Sequence, residues 1–295
     1  PFEAGEKDVE SVYKISTFQP MFKAGGRKIL QAGMVPEPLA RLNSMIGLHS
    51  VKEYVNSFID LVSLNKKRIA LDLPVNPVSL HTVFLGNPGT GKTTVVGLLG
   101  KIFRELGLLS KGHVVFEERT TLSGQFYGSE YEKTLNALER AKGGILFIDE
   151  AYNLYVKGDP KDPGPRIIEA LLTGMSDENN RDICIILAGY TQPMIEMLNV
   201  NQGLRGRISH TCYFEDYSVE ELLQIAELYM DQNQYRLTEE ARKALLLYLR
   251  RVWPGRDNKF ANGRYVRNLI EKEILPAMSG RILQHEHFDL PLLTT

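Results

Sequence analysis

The apolar positions of this chain follow two kinds of pattern, and the change between them falls at Tyr217. Before it, short uniformly apolar runs alternate with stretches of helical spacing. From Val51 to Ala70, the residues Val51, Tyr54, Val55, Phe58, Ile59 and Val62 recur at helical intervals and predict an amphipathic helix. Leu80 to Leu85 is a short apolar run ending in a Gly-rich turn and predicts a buried strand; Thr94 to Leu106 then resumes helical spacing. Val114-Val115-Phe116, Gly143 to Asp149 and Ile183 to Ala188 predict three further strands. Continuous apolar strands separated by helices indicate a parallel sheet covered on both faces, so residues 45–216 are expected to form a doubly wound α/β domain.

After Tyr217 the pattern is helical throughout. Ser218-Val219-Glu220-Glu221 reads as a capping box, with Leu222, Ile225, Ala226 and Tyr229 following at i, i+3, i+4 and i+7. Thr238 opens a second helix with Glu239 and Glu240 in its first turn, and Val266, Leu269, Ile270 and Ile274 mark a third. No strand-like alternation follows Phe214, so residues 217–283 are expected to form a small all-helical domain, with 284–295 as a tail. Residues 1–44 carry Gly25-Gly26, Pro36 and Pro38 and read as an irregular arm or the remnant of a preceding domain. The chain begins at Pro1, which reads as a fragment or trimmed form.

Composition changes this picture little. A hydrophobic fraction of 43% and a charged fraction of 24% are ordinary for a globular protein. A net charge of −1 supplies no overall basic field for nucleic acid or an acidic membrane. No apolar stretch approaches the ~20 residues needed to span a bilayer, and no basic segment with an apolar core marks a signal peptide. Cys184 and Cys212 are too few and too far apart for a zinc site or a disulfide framework. Cys184 lies in an apolar run and reads as a small buried hydrophobe, which fits a reducing, cytoplasmic compartment.

The chemistry is concentrated in four short segments. Gly86-Asn87-Pro88-Gly89-Thr90-Gly91-Lys92-Thr93 meets the pattern G-x-x-x-x-G-K-[ST] in full, between a predicted strand and a predicted helix. The glycines let backbone N–H groups point into one concavity around phosphates, Lys92 adds a point charge, and the Thr93 hydroxyl is left for Mg2+, with Thr94 beside it. Ile145-Leu146-Phe147-Ile148 ends in Asp149 and Glu150, at the carboxyl edge where open α/β sheets place their ligands. Asp149 suits the metal; Glu150 suits orientation of an attacking water. Gly203-Leu204-Arg205-Gly206-Arg207-Ile208 offers two arginines whose planar forks fit phosphate oxygens, although an arginine pair at a helix end is more often a solvated surface feature. In Gly124-Gln125-Phe126-Tyr127-Gly128, buried packing of the aromatic pair competes evenly with an exposed loop set off by its glycines.

Longer strings carry a resemblance. His81 to Thr94, Gly143 to Tyr155, Ile186 to Tyr190 and Phe260 to Asn268 are similar to the CbbX/CfxQ subfamily of AAA+ proteins, over roughly residues 45 to 283. That group includes the red-type Rubisco activase, the stage V sporulation protein K and the ATPase of type VII secretion. The resemblance implies a P-loop AAA+ domain followed by a helical lid, binding ATP with Mg2+ between neighbouring subunits of a homo-oligomeric, usually hexameric, ring. Ile46-Gly47-Leu48 matches the segment that borders the adenine. Arg207 matches the arginine-finger position, with Arg205 second, and Arg264 matches the sensor-2 arginine, with Arg267 as runner-up. Phe126-Tyr127-Gly128 matches the pore loop by which such rings grip a protein client. Where many AAA+ proteins end the fourth strand on a polar residue, this chain has Ala188-Gly189-Tyr190, so Tyr190, Thr191 and Gln192 all compete for the sensor-1 role. A nucleic-acid motor or loader and an ATP-timed assembly scaffold are the alternatives on the same fold. The charge pattern, with no basic run near the pore loop, disfavours the motor.

Overall fold

A computed structural model describes residues 36–75, 78–123, 128–156, 162–177, 182–257, 259–282 and 292–293. The described chain enters on α1 (Glu37–Ser44) and α2 (His49–Ile69). Pro36 and Pro38 do not keep this segment irregular. Pro38 falls in the first turn of α1, where a missing N–H breaks no helical bond, and Leu39 and Leu42 are buried in the domain core. Then follow β1 (Thr82–Gly86), α3 (Lys92–Glu105), β2 (Val114–Glu117), a single turn α4 (Arg119–Leu122) and α5 (Ser129–Ala141). After them come β3 (Ile145–Ile148), a 3-10 turn at Ala151–Leu154, α6 (Gly164–Ser176), β4 (Cys184–Gly189), α7 (Thr191–Val200), α8 (Gln202–Arg207) and β5 (His210–Phe214).

The five strands form one parallel sheet in the order β2-β3-β4-β1-β5. The period-two geometry of a strand divides its side chains between two cores. Phe84, Phe147, Ile186 and Ala188 pack on one side with α1, α2 and α3; Val83, Leu146, Ile148 and Leu187 pack on the other with α5, α6 and α7. Each large apolar side chain withdrawn from water contributes roughly 1.5–3 kcal/mol. The central strands β1, β3 and β4 are buried at every position, whereas the edge strand β5 exposes Thr211 and Tyr213. Cys184 and Cys212 flank β1 on β4 and β5, free and buried. Burial raises both thiols, that of Cys212 to about 12.

Beyond Tyr217 the chain builds a helical unit from α9 (Val219–Gln232), α10 (Glu239–Val252), α11 (Asn262–Leu269), a π-turn at Ile270–Ile274 and α12 (Leu275–Ile282). The capping box forms as expected: Glu221 N donates to Ser218 Oγ at 3.2 Å, and Ser218 N donates to Glu221 Oε2 at 2.8 Å. Thr238 caps α10 by accepting from Ala241 N at 3.2 Å. Leu222, Leu223, Ala226, Leu245, Leu249, Val266 and Ile270 form its own core. The expectation of no strand here needs one correction. Two-residue strands, β6 (Arg236–Leu237) and β7 (Leu292–Leu293), pair in parallel, and two residues are too short to leave an alternating pattern in a sequence. Among the described residues no helix is long and apolar enough to cross a membrane.

Candidate functional site

Because the strands are parallel, the carboxyl ends of β1, β3 and β4 open on the same edge of the sheet, and the chain places its chemistry there. A cavity of about 260 Å³ lies at that edge. The turn after β1 supplies Pro88, Gly89, Gly91, Lys92, Thr93 and Thr94; the end of β3 supplies Asp149 and Glu150; the end of β4 supplies Gly189 and Tyr190. Arg264 enters from the lid helix α11, and Tyr152 from the 3-10 turn. Gly89 and Gly91 take φ of +71° and +97°, left-handed angles that an L side chain resists, and so shape the loop that leads into α3. The 14-residue α3 begins at Lys92, which directs its unpaired N–H groups and positive dipole end toward the cavity.

The Lys92 ammonium donates to the carbonyls of Gly86 and Asn87, each at 2.8 Å. Desolvation outweighs the nearby Asp149, and with Arg264 also adding positive charge the Lys92 pKa falls to about 8. An ammonium whose pKa is brought this close to neutrality regains its ordinary value when a phosphate anion supplies the charge that burial took from it.

On the opposite wall, Asp149 N donates to Glu117 O at 3.0 Å, extending the β2–β3 ladder one residue past the strand. Glu150 then adopts φ +47° and ψ +41°, a left-handed conformation that few non-glycine residues hold. In that turn the Glu150 N–H donates to Asp149 Oδ1 at 2.9 Å. Asn153 Nδ2 donates to Glu150 Oε2 at 3.2 Å, and the Asn153 carbonyl accepts from Arg119, whose guanidinium pairs with the buried Asp162 at 2.7 Å. Tyr152 and Tyr190 stack, with ring centroids 5.6 Å apart and an interplanar angle of 27°. Burial first, and then Glu150, raise the Tyr152 hydroxyl to about 12.

Other expected residues fall outside this cavity. Gly86, Asn87 and Thr90 form its frame without lining it, Thr90 being buried with its hydroxyl on Asn87 O. Gly47 lies against the Tyr217 ring and the Glu221 carboxylate and so borders the lid; neither it nor its neighbour Ile46 lines the cavity. Of the two lid arginines only Arg264 lines the cavity; Arg267 pairs with Glu271 at 2.8 Å. Of the three sensor-1 candidates only Tyr190 does so, while Thr191 and Gln192 open α7. Arg205 donates to Asn199 Oδ1 at 3.1 Å; Arg207 donates to Ser176 Oγ at 2.8 Å and Gly203 O at 3.2 Å. Neither reaches this cavity. Phe126 and Tyr127 lie outside the described residues; Gly128 precedes α5 with φ +105°. Sequence reasoning gave no site role to Tyr152, Asp216, Tyr217 or Asn262, whose contacts come from segments far apart in the chain.

The donor set fits a magnesium-bound nucleoside triphosphate: a backbone concavity at a helix N-terminus, two cations for phosphate oxygens, and a hydroxyl with a carboxylate suited to a hard, water-rich Mg2+. Comparison with known proteins agrees. Residues 82–216 match the ATPase family associated with various cellular activities (AAA), and residues 218–292 match the AAA lid domain. The chain is 40% identical over 257 residues to the stage V sporulation protein K of Bacillus subtilis, covering 87% of this chain and 79% of that protein. It is 42% identical over 239 residues to a CfxQ homologue of Galdieria sulphuraria, covering 81% and 77%. With the CbbX protein of Cereibacter sphaeroides it shares 43% identity over 231 residues, covering 77% and 73%.

Proposed function

The chain belongs to the AAA ATPase family, in the CbbX/CfxQ subfamily, and from that premise we propose that it assembles into a ring that couples ATP hydrolysis to the remodelling of a protein client. One observation carries this reading. The cavity contains the cradle, the two carboxylates and Arg264, yet Arg205 and Arg207 are anchored outside it on α8. An arginine that completes phosphoryl transfer stabilises the charge of the transition state. Arg207 meets that requirement only in a neighbour's cavity, so the catalytic unit is two adjacent subunits.

In this scheme Gly89, Gly91 and the α3 N-terminus hold the phosphates, with Lys92 on the outer ones. Thr93 and Asp149 would hold Mg2+, which would supply charge neutralisation on the phosphates. Glu150, kept in place by Asn153, orients the attacking water and draws off its proton. Tyr190 and Arg264 sense the phosphate end from β4 and from the lid. Phe126-Tyr127-Gly128 grips the client, and ring size follows the hexamer usual for the family.

Glu150→Gln tests the scheme. It is expected to keep ATP binding and ATP-dependent assembly on gel filtration while turnover drops by roughly a hundredfold or more. Used as a trap in pull-downs, the same variant should retain protein and not nucleic acid. Unchanged turnover, or a monomer at saturating ATP, overturns the proposal.

A further inference from the structure

A loop that points its N–H groups inward at phosphates must point its carbonyls outward, and those carbonyls also need partners. Following each one shows who supplies them. Gly86 O and Asn87 O accept from Lys92 Nζ, and Gly91 O accepts from Val95 N within α3. The remaining three are taken by the far side of the molecule. Pro88 O accepts from Asn262 Nδ2 at 3.3 Å, Gly89 O from Gly263 N at 3.1 Å, and Thr90 O from the Tyr217 hydroxyl at 3.1 Å. Gly89 is pressed so closely on the lid that a Cβ there would lie 2.0 Å from Ala261 O. The glycine at this position therefore serves the lid contact as much as the cradle.

Asn262 is the centre of the contact. It is fully buried, holds φ +46°, and opens the helix that carries Arg264. Its Oδ1 accepts from Tyr217 N at 3.0 Å; its Nδ2 faces Asp216 Oδ1 at 2.7 Å as well as Pro88 O and Phe260 O. Asp216 in turn accepts from Asn87 of the phosphate loop at 2.9 Å and faces Arg256 at 3.5 Å. One amide and one carboxylate thus tie together the loop, the junction between the domains and the start of α11.

We infer that Asn262 and Asp216 form a latch that docks the lid on the outer face of the phosphate loop, and that this docking positions Arg264 for the terminal phosphate. The two are positioning residues. The inference rests on the nucleotide-site reading above and adds its mechanical consequence: the loop and the lid cannot rearrange separately, because three carbonyls of the loop lose their donors if the lid leaves. An apolar linker between the domains would have left them independent.

The test uses the whole chain with one label on α2 and one on α10, reporting the inter-domain distance without nucleotide and then with AMP-PNP or ADP. Asn262→Asp keeps a residue that tolerates positive φ but sets a carboxylate against Asp216. It should broaden the distance distribution without nucleotide. It should also lower the ratio of AMP-PNP to ADP affinity about tenfold, the size of one lost hydrogen bond to a charged group. Adding Asp216→Asn rebuilds the amide–carboxylate pair in reverse and should recover much of both losses, which loss of general stability would not do. Asn87→Ala, at the loop surface, should shift both readouts in the same direction by less. A wild-type distance distribution and affinity ratio in Asn262→Asp, or a double variant no better than the single one, overturns the latch. Normal AMP-PNP binding by Lys92→Ala would instead strike the nucleotide-site reading, leaving the nucleotide-free distances as the independent measure of the latch.

Discussion

Arg264 and Arg207 each sit on a short helix, and the fold uses the two side chains in opposite ways. Arg264 is carried by α11 into the cavity of its own chain, where its charge already depresses the Lys92 pKa. Arg207 ends α8 and is held by Ser176 and Gly203 on the outside. A guanidinium inside the cavity acts on the chain's own ligand in any assembly. In the proposed ring, one anchored outside would act on a neighbour's ligand, and assembly would become a condition of the chemistry.

The largest effect separates the two directly. Arg207→Ala should reduce turnover at saturating ATP by about a thousandfold, as expected for a missing finger, with AMP-PNP affinity nearly unchanged. Mixing it with the equally inactive Lys92→Ala chain should restore activity, because an intact cradle then meets an intact Arg207 at some interfaces. A mixture as inactive as its parts would place Arg207 in cis and remove the contrast. A smaller effect belongs to Arg264→Ala. It should weaken AMP-PNP about tenfold relative to ADP, a charge-assisted contact to one phosphate, and mixing should not rescue it.

The finest test is in protons. With its pKa at about 8, Lys92 is half neutral at pH 8, and phosphate binding raises that pKa again. Binding of AMP-PNP at pH 8 should therefore take up about half a proton, falling toward zero below pH 7, as read by calorimetry in buffers of different ionisation enthalpy. Arg264→Ala removes a neighbouring positive charge, raises the Lys92 pKa in the free chain and should shrink the uptake. Arg207→Ala should leave it alone. Equal changes in both variants would mean that both arginines share one site.

What the sequence made legible follows the physics of each element. The strands β1, β3 and β4 are buried at every position, so they stand out as uniform apolar runs, and the Ser218 capping box announces α9 because its partners are three residues apart. The edge strand β5 half faces solvent and registered only as a short apolar stretch. Pro36 and Pro38 looked like breakers because a sequence does not say which turn of a helix a proline enters. In the site, the cradle and the Asp149-Glu150 pair are local motifs in structural context. Arg264 became readable only through a family resemblance, and Asn262 and Asp216 not at all. Their role is a contact among segments 46 and 174 residues apart along the chain, and Asn262-Gly263 by itself spells only a turn.

The two cysteines beside β1 have a practical side. Burial raises both thiols well above the ordinary cysteine range, that of Cys212 to about 12, so at neutral pH each offers far less thiolate than an exposed cysteine. These two are the cysteines of the 295 residues, and both are buried, so the chain is its own silent background for maleimide chemistry. A cysteine introduced at an open lid position such as Leu247 would react alone, and the lid could be followed in a chain otherwise unaltered.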